Sequence, residues 1–236
     1  MNEVTVAPRL GFFGKLPARG DFVCRRLPRD FTDPWDGWLQ DAVAMSSQQL
    51  GQAWLDTYLT APIWRFLLAR GVCGERPMLG VMMPSVDRVG RYFPLTMAVA
   101  IGESAAPART MLTGGAWFEE VEKLALSALE DDADLDRLDQ EAESIAPPAG
   151  DESSGAAYHA ERAVSVVLSS DRGVAASAAD VMDGLLALIA GRYTLWWTSG
   201  SEQFAPSLVV AEGLPAVERF AALLDGRWEQ WGWKTR

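Results

Sequence analysis

Two apolar runs, Met78–Met83 and Leu95–Ile101, flank a segment dense in Gly, Pro, charged and aromatic residues. Strands that cover only one side of a core alternate apolar and polar residues. Short runs that stay apolar throughout read as strands buried on both faces. Joined by a single connection, these two form an antiparallel hairpin with a long loop. Strands in the middle of such a sheet need helices to cover them. The fold class that follows is α+β: a mixed, largely antiparallel sheet covered by helices on both faces.

The rest of the chain supplies the layers. Leu10–Phe13 reads as a further short strand. Asp33-Pro34 has the form of an N-cap followed by Pro at the first helical position, and Trp35, Trp38, Leu39, Ala42 and Met45 follow at helical spacing. Gly51 breaks that helix, and Trp54, Leu55, Tyr58 and Leu59 continue an apolar face. Ile63–Leu68, after Pro62, is read as a short helix. Gly114-Gly115 precedes an amphipathic helix with Trp117, Phe118, Val121, Leu124 and Ala125 on one side. Residues 130–155 form an acidic and flexible insertion within a single domain spanning 1–236, with Leu135, Leu138 and Ala142 as a narrow apolar stripe. Beyond it come a strand at Ala163–Leu168, a helix at Ala175–Ile189, strands at Tyr193–Trp197 and Leu208–Ala211, and a last helix from Leu214-Pro215 to Leu224. The tail, with Trp228, Trp231 and Trp233, fits no single helix face and is expected to wrap back over the core.

Charge limits the partners. The chain holds 21 Lys and Arg against 32 Asp and Glu, a net charge of −11. Such a balance repels nucleic acid and anionic lipid. Ten Trp supply core, and leave a surplus that suits a protein interface, a homo-oligomeric one included. Cys24 and Cys73 are too few for a disulfide scaffold. Cys24, beside Arg25 and Arg26, is read as an ordinary packed thiol in preference to a low-pKa redox sensor. Met1–Leu10 carries no signal-peptide pattern, and no apolar run approaches the roughly 18 residues of a membrane span. The expected location is the cytoplasm.

Two loops remain. Gly11–Phe22 and Met83–Pro94 each mix Gly, Pro, charge and aromatic residues, a composition that holds a fixed backbone shape and displays charged groups. Lys15, Arg19 and Arg25 in or beside the first, and Arg88 and Arg91 in the second, are a basic set on an acidic chain. Asp21 is placed to pair within the first loop, and Asp87 to accept local backbone N–H groups around Gly90. If both loops lie at one end of the sheet, they make a single basic patch. These seven residues are the candidate partner-binding site, facing an acidic or phosphorylated partner. The competing reading is a pair of structural turns.

Catalytic chemistry finds little support. The one histidine, His159, sits beside a Pro- and Gly-containing segment without a Gly-x-Ser-x-Gly elbow to serve. Two Cys and one His, far apart, have no zinc spacing. Gly14-Lys15 is followed by Leu16-Pro17, where a phosphate loop needs an N–H donor and a hydroxyl. No enzyme activity, metal or cofactor is expected.

The two loops carry a resemblance. Gly11-Phe12-Phe13-Gly14-Lys15-Leu16-Pro17 with Gly20-Asp21-Phe22-Val23, and Gly80–Leu95 through Pro84-Ser85-Val86-Asp87-Arg88, are similar to the signature segments of the TagF family, accessory proteins of bacterial type VI secretion. Trp35-Asp36-x-Trp38-Leu39, Trp64-Arg65-Phe66, Leu195-Trp196-Trp197-Thr198 and Gly213-Leu214-Pro215 extend the resemblance over most of the chain. It implies a longin- or profilin-like α/β/α regulatory fold. It also implies a cytoplasmic, non-enzymatic, post-translational repressor that binds the forkhead-associated scaffold protein and limits assembly of the apparatus. Family members fused to a phosphatase domain exist, but this chain contains no such segment. The alternative is a structural or assembly component of the same apparatus.

Overall fold

The computed structural model describes residues 8–102, 107–130, 132–148, 157–160, 163–166 and 174–234. Its centre is a seven-stranded sheet. In chain order the strands are β1 (Gly11–Gly14), β2 (Val23–Arg25), β3 (Trp64–Leu68), β4 (Met78–Met83), β5 (Leu95–Ala100), β8 (Tyr193–Thr198) and β9 (Ser207–Glu212). Across the sheet they run β2-β1-β5-β4-β3-β8-β9, and every neighbouring pair is antiparallel. A separate hairpin joins β6 (Ala157–Ala160) to β7 (Ala163–Val166). The helices are α1 (Arg29–Leu50), α2 (Trp54–Leu59), α3 (Pro107–Thr113), α4 (Gly115–Ser127), α5 (Leu135–Ser144), α6 (Val174–Ala190) and α7 (Ala221–Asp225).

The β4–β5 hairpin and the α+β class are as the sequence indicates, and strand periodicity explains the layers. Met78 and Met82 of β4, Ala98 and Ala100 of β5, and Phe66 and Leu68 of β3 face one core, with Trp35, Trp38, Leu39 and Ala42 of α1 above them. Leu79, Val81 and Met83, with Leu95, Met97 and Val99, face the opposite core under Trp117, Phe118, Val121 and Leu124 of α4. Leu135, Leu138 and Ala142 of α5 bury against that second core, so an apolar stripe inside the acidic 130–155 segment docks a helix. The Asp134 carboxylate caps it by accepting the Asp136 N–H. Gly80 is where β4 and β5 lie too close for a side chain: a Cβ there would sit 2.1 Å from the Met97 carbonyl oxygen.

The structure corrects several local expectations. Ile63–Leu68 is not a helix; Trp64–Leu68 is β3, central in the sheet. Its alternation is real: Trp64, Phe66 and Leu68 enter the first core, while Arg65 on the other side pairs with Glu122 at 2.7 and 2.8 Å. The first long helix begins at Arg29, so Pro34 lies inside it and not at its start. Phe31 explains the earlier start, because it is buried and stacks on Trp35 one turn later. Strands β2 and β6 add to those expected. The last helix is a 3-10 turn, Val217–Arg219, followed by α7. The tail does fold back: Trp228 and Trp233 pack on the first core, and the Trp64 indole donates to the Leu223 carbonyl at 2.8 Å. His159 lies opposite Val164 in the small hairpin; its side chain is outside the described residues.

Beside the second core, α3 and α6 meet through a buried Arg109–Asp180 ion pair at 2.5 Å. Asp183 accepts the Ala108 N–H at 2.6 Å and the Tyr193 hydroxyl at 3.1 Å. Burial pushes the Asp183 carboxyl up to about 6, against those two hydrogen bonds and with help from Asp180. A folded pKa above the unfolded value of about 3.9 means a contribution fully present below about pH 4 and lost as the pH rises through about 6. Asp183→Asn keeps the accepting oxygen but cannot ionise. Urea unfolding should show the variant gaining about 2–3 kcal/mol on the wild type between pH 4 and pH 7.5. A gap that does not change with pH would contradict this account.

Candidate functional site

Antiparallel pairing of β1 with β5 brings the end of β1 beside the start of β5. The loop after β1 and the loop between β4 and β5 therefore meet at one end of the sheet. Gly14 makes the approach possible: its φ is +135°, and a Cβ there would lie 2.2 Å from the Pro94 carbonyl oxygen. The loops then bond to each other. The Arg88 N–H donates to the Arg19 carbonyl at 2.9 Å, and the Ser85 hydroxyl donates to the Lys15 carbonyl at 2.7 Å. Tyr58 of α2 supports them from beneath. Its hydroxyl donates to the Ser85 carbonyl at 3.0 Å and accepts the Ser85 N–H at 3.1 Å. Burial pushes this phenol well above its ordinary value.

Asp87 is the centre of the arrangement. Its side chain is sealed from solvent, as is that of Lys15, and the two form an ion pair. One carboxylate oxygen also takes the Arg91 guanidinium at 2.7 Å; the other accepts the N–H groups of Val89 at 3.0 Å and Arg91 at 2.9 Å. Burial by itself would raise this carboxyl, but Lys15, Arg91 and the two backbone donors together hold it well below the usual carboxylate range. Lys15 also lies 4.9 Å from the centre of the Phe22 ring, which packs with Phe13 and Phe93. Arg91 reaches back across the gap to the Gly20 carbonyl as well.

The seven candidate residues thus divide by role. Lys15 and Asp87 are buried and lock one loop to the other, so Lys15 presents no charge to a partner. Arg91 belongs partly to the lock while staying exposed on its outer side. Arg19, Asp21, Arg25 and Arg88 are exposed. Among the described residues Arg19, Arg25 and Arg88 form no ion pair, and Arg25 donates only to the carbonyl of Cys24. Together with Phe22, Val23, Leu135 and Asp136 they line an open groove of about 490 Å³. Both loops do lie at one end of the sheet, with Lys15 buried and Asp21 and Asp136 beside the three exposed arginines.

Tyr58, Ser85 and Phe22 are part of this construction; the sequence shows Tyr58 only as part of an apolar helix face, and Ser85 and Phe22 only as members of the two loops that carry the resemblance. Cys24 is exposed instead of packed. Partial burial of its sulfur raises its pKa despite Arg25, the opposite of a sensor thiolate. Burial pushes the Cys73 thiol up to about 12. Among the described residues no group of three or more His, Cys, Asp or Glu is placed to hold a metal ion, and no helix is long and apolar enough to cross a membrane.

Comparison with known proteins bears on the same region. The profile of a family described as TagF N-terminal domain, type VI secretion system-associated, matches residues 11–145, which contain both loops. Among solved structures the chain is similar to PA0076 from Pseudomonas aeruginosa PAO1. The two are 37% identical with a TM-score of 0.81, over 92% of this chain and 94% of that one. No curated protein matches the chain.

Proposed function

The chain belongs to the TagF family of type VI secretion-associated proteins, and from that premise we propose that it is a non-enzymatic, post-translational repressor of type VI secretion. It acts in the cytoplasm by binding the forkhead-associated scaffold protein and limiting assembly of the apparatus. The observation that carries this reading is the locked pair of loops. A buried ion pair fixes their backbone, and Arg19, Arg25 and Arg88 stand exposed on a chain whose net charge is −11. Fixed loops displaying uncompensated guanidinium groups suit docking to a protein, and a preformed face binds without paying to order itself.

The test combines calorimetry with genetics. Purified protein should bind the scaffold saturably, and Arg19→Glu with Arg88→Glu should weaken that binding by about tenfold or more. Arg91 is left alone, because reversing it would set a carboxylate against Asp87 and disturb the lock. Deleting the protein should raise secretion. Abolished secretion would instead mark a structural component, and wild-type affinity in the double variant would remove the loops from the interface.

A further inference from the structure

We propose that the groove beneath the two loops is a binding site for a carboxylate-bearing, extended peptide segment of the partner protein. This rests on the reading of the loop face as a docking surface and adds the chemistry of what it accepts. Three observations point to it.

The first is uncompensated charge. Arg19, Arg25 and Arg88 line one groove without an ion-pair partner among the described residues. Arg26 pairs with Asp139, Arg65 with Glu122 and Arg109 with Asp180, whereas Arg9, Arg29, Arg76, Arg192, Arg219 and Arg227 also form no ion pair among the described residues. What sets Arg19, Arg25 and Arg88 apart is that the three share one groove. A planar guanidinium presents its donors in a fork that matches a carboxylate.

The second is the pair of acids in the same lining, Asp21 and Asp136. They leave the groove with mixed sign. A doubly charged phosphoryl group would be repelled by both, while a singly charged carboxylate can sit on an arginine and leave the acids to accept backbone N–H groups from an extended segment. An unpaired strand-like peptide offers such donors at regular intervals.

The third is the apolar content. Phe22 in the groove lining is 48% exposed, and Val89, next to Arg88 in the chain, is 65% exposed; Val23 and Leu135, also in the lining, are largely buried and form its apolar floor. Apolar side chains among the acids of the segment would find contacts there. The surface mixes arginine with an aromatic anchor, the composition that carries most binding energy at protein interfaces. The net field of the chain opposes an acidic ligand at long range, so capture depends on these short-range contacts and on salt.

The experiment uses the full chain and fluorescein-tagged, end-capped decapeptides: alternating Glu-Ala, its Gln-Ala counterpart, and an Ala-rich peptide with one phosphothreonine. Anisotropy at low salt should show the Glu peptide binding about tenfold or more tighter than the Gln peptide, and losing that advantage at high salt. Arg19→Glu with Arg88→Glu should abolish the preference. Arg227→Glu, a reversal in the exposed tail, should not. Equal binding of Glu and Gln peptides overturns the inference, as does a preference that survives the double reversal. A phosphothreonine peptide that binds more tightly than the Glu peptide overturns the choice of carboxylate. Calorimetry with the scaffold is run beside it. Scaffold binding without peptide discrimination sinks this inference and spares the docking reading; peptide discrimination without scaffold binding does the reverse.

Discussion

Asp87→Ala is expected to remove about 3–5 kcal/mol of folding stability, the usual cost of deleting one partner of a buried ion pair. The loss arises from what stays behind. The Lys15 side chain is 5% exposed, so its ammonium cannot reach water without opening the loops. The part-buried N–H groups of Val89 and Arg91 also lose their acceptor, a smaller addition because their residues lie at the surface. A combined Lys15→Met and Asp87→Ala chain should be less damaged than Asp87→Ala alone, since it leaves no buried charge. Acid should act in the same direction as the substitution. The Asp87 carboxyl is depressed in the folded chain, so its stabilisation is present above the unfolded value of about 3.9 and is lost as the pH falls. Urea unfolding of the three chains at pH 7 and at about pH 2, well below the unfolded carboxylate value, measures all of this. A single Asp87→Ala chain within 1 kcal/mol of wild type would mean that the lock holds nothing.

Trp35→Ala is expected to cost about 3–5 kcal/mol or more, in the range for deleting a large core aromatic. Trp35 stacks on Phe31 with ring centres 5.4 Å apart and lies parallel to Trp196 at 5.8 Å. Phe66 and Trp38 close the cluster at 4.8 and 5.1 Å. Its indole N–H donates to the Thr96 hydroxyl at 2.9 Å, tying α1 to the middle of the sheet. Alanine leaves a cavity ringed by stiff aromatic groups that cannot collapse into it. Trp35→Phe keeps the stacking but loses the donor, so it should cost markedly less. Equilibrium unfolding followed by far-UV circular dichroism ranks the three. Equal losses for Phe and Ala would show that the hydrogen bond to Thr96, and not the filled volume, holds α1 down.

What the sequence revealed and what it hid follow the range of the forces involved. Strands β4 and β5 were readable because both of their faces are apolar, a local property. The stripe Leu135, Leu138 and Ala142 was readable for the same reason. Strand β3 was not: a short apolar run fits helix and strand alike, and the residue that decides between them, Arg65, meets Glu122 only through the tertiary fold. The exposed arginines were legible as charge out of keeping with the chain. Lys15 carries the same charge in the same loop, and its burial was illegible, because the carboxylate that neutralises it lies 72 positions away.

That separation has a kinetic side. Lys15 cannot find Asp87 until the first hairpin has docked on β5 across the whole intervening chain, and closing so long a loop costs entropy before any contact repays it. A nascent or misfolded copy carries the same arginines without their arrangement. The face at the end of the sheet therefore distinguishes finished molecules from unfinished ones. A partner that binds there selects the mature protein and, by mass action, protects it from unfolding.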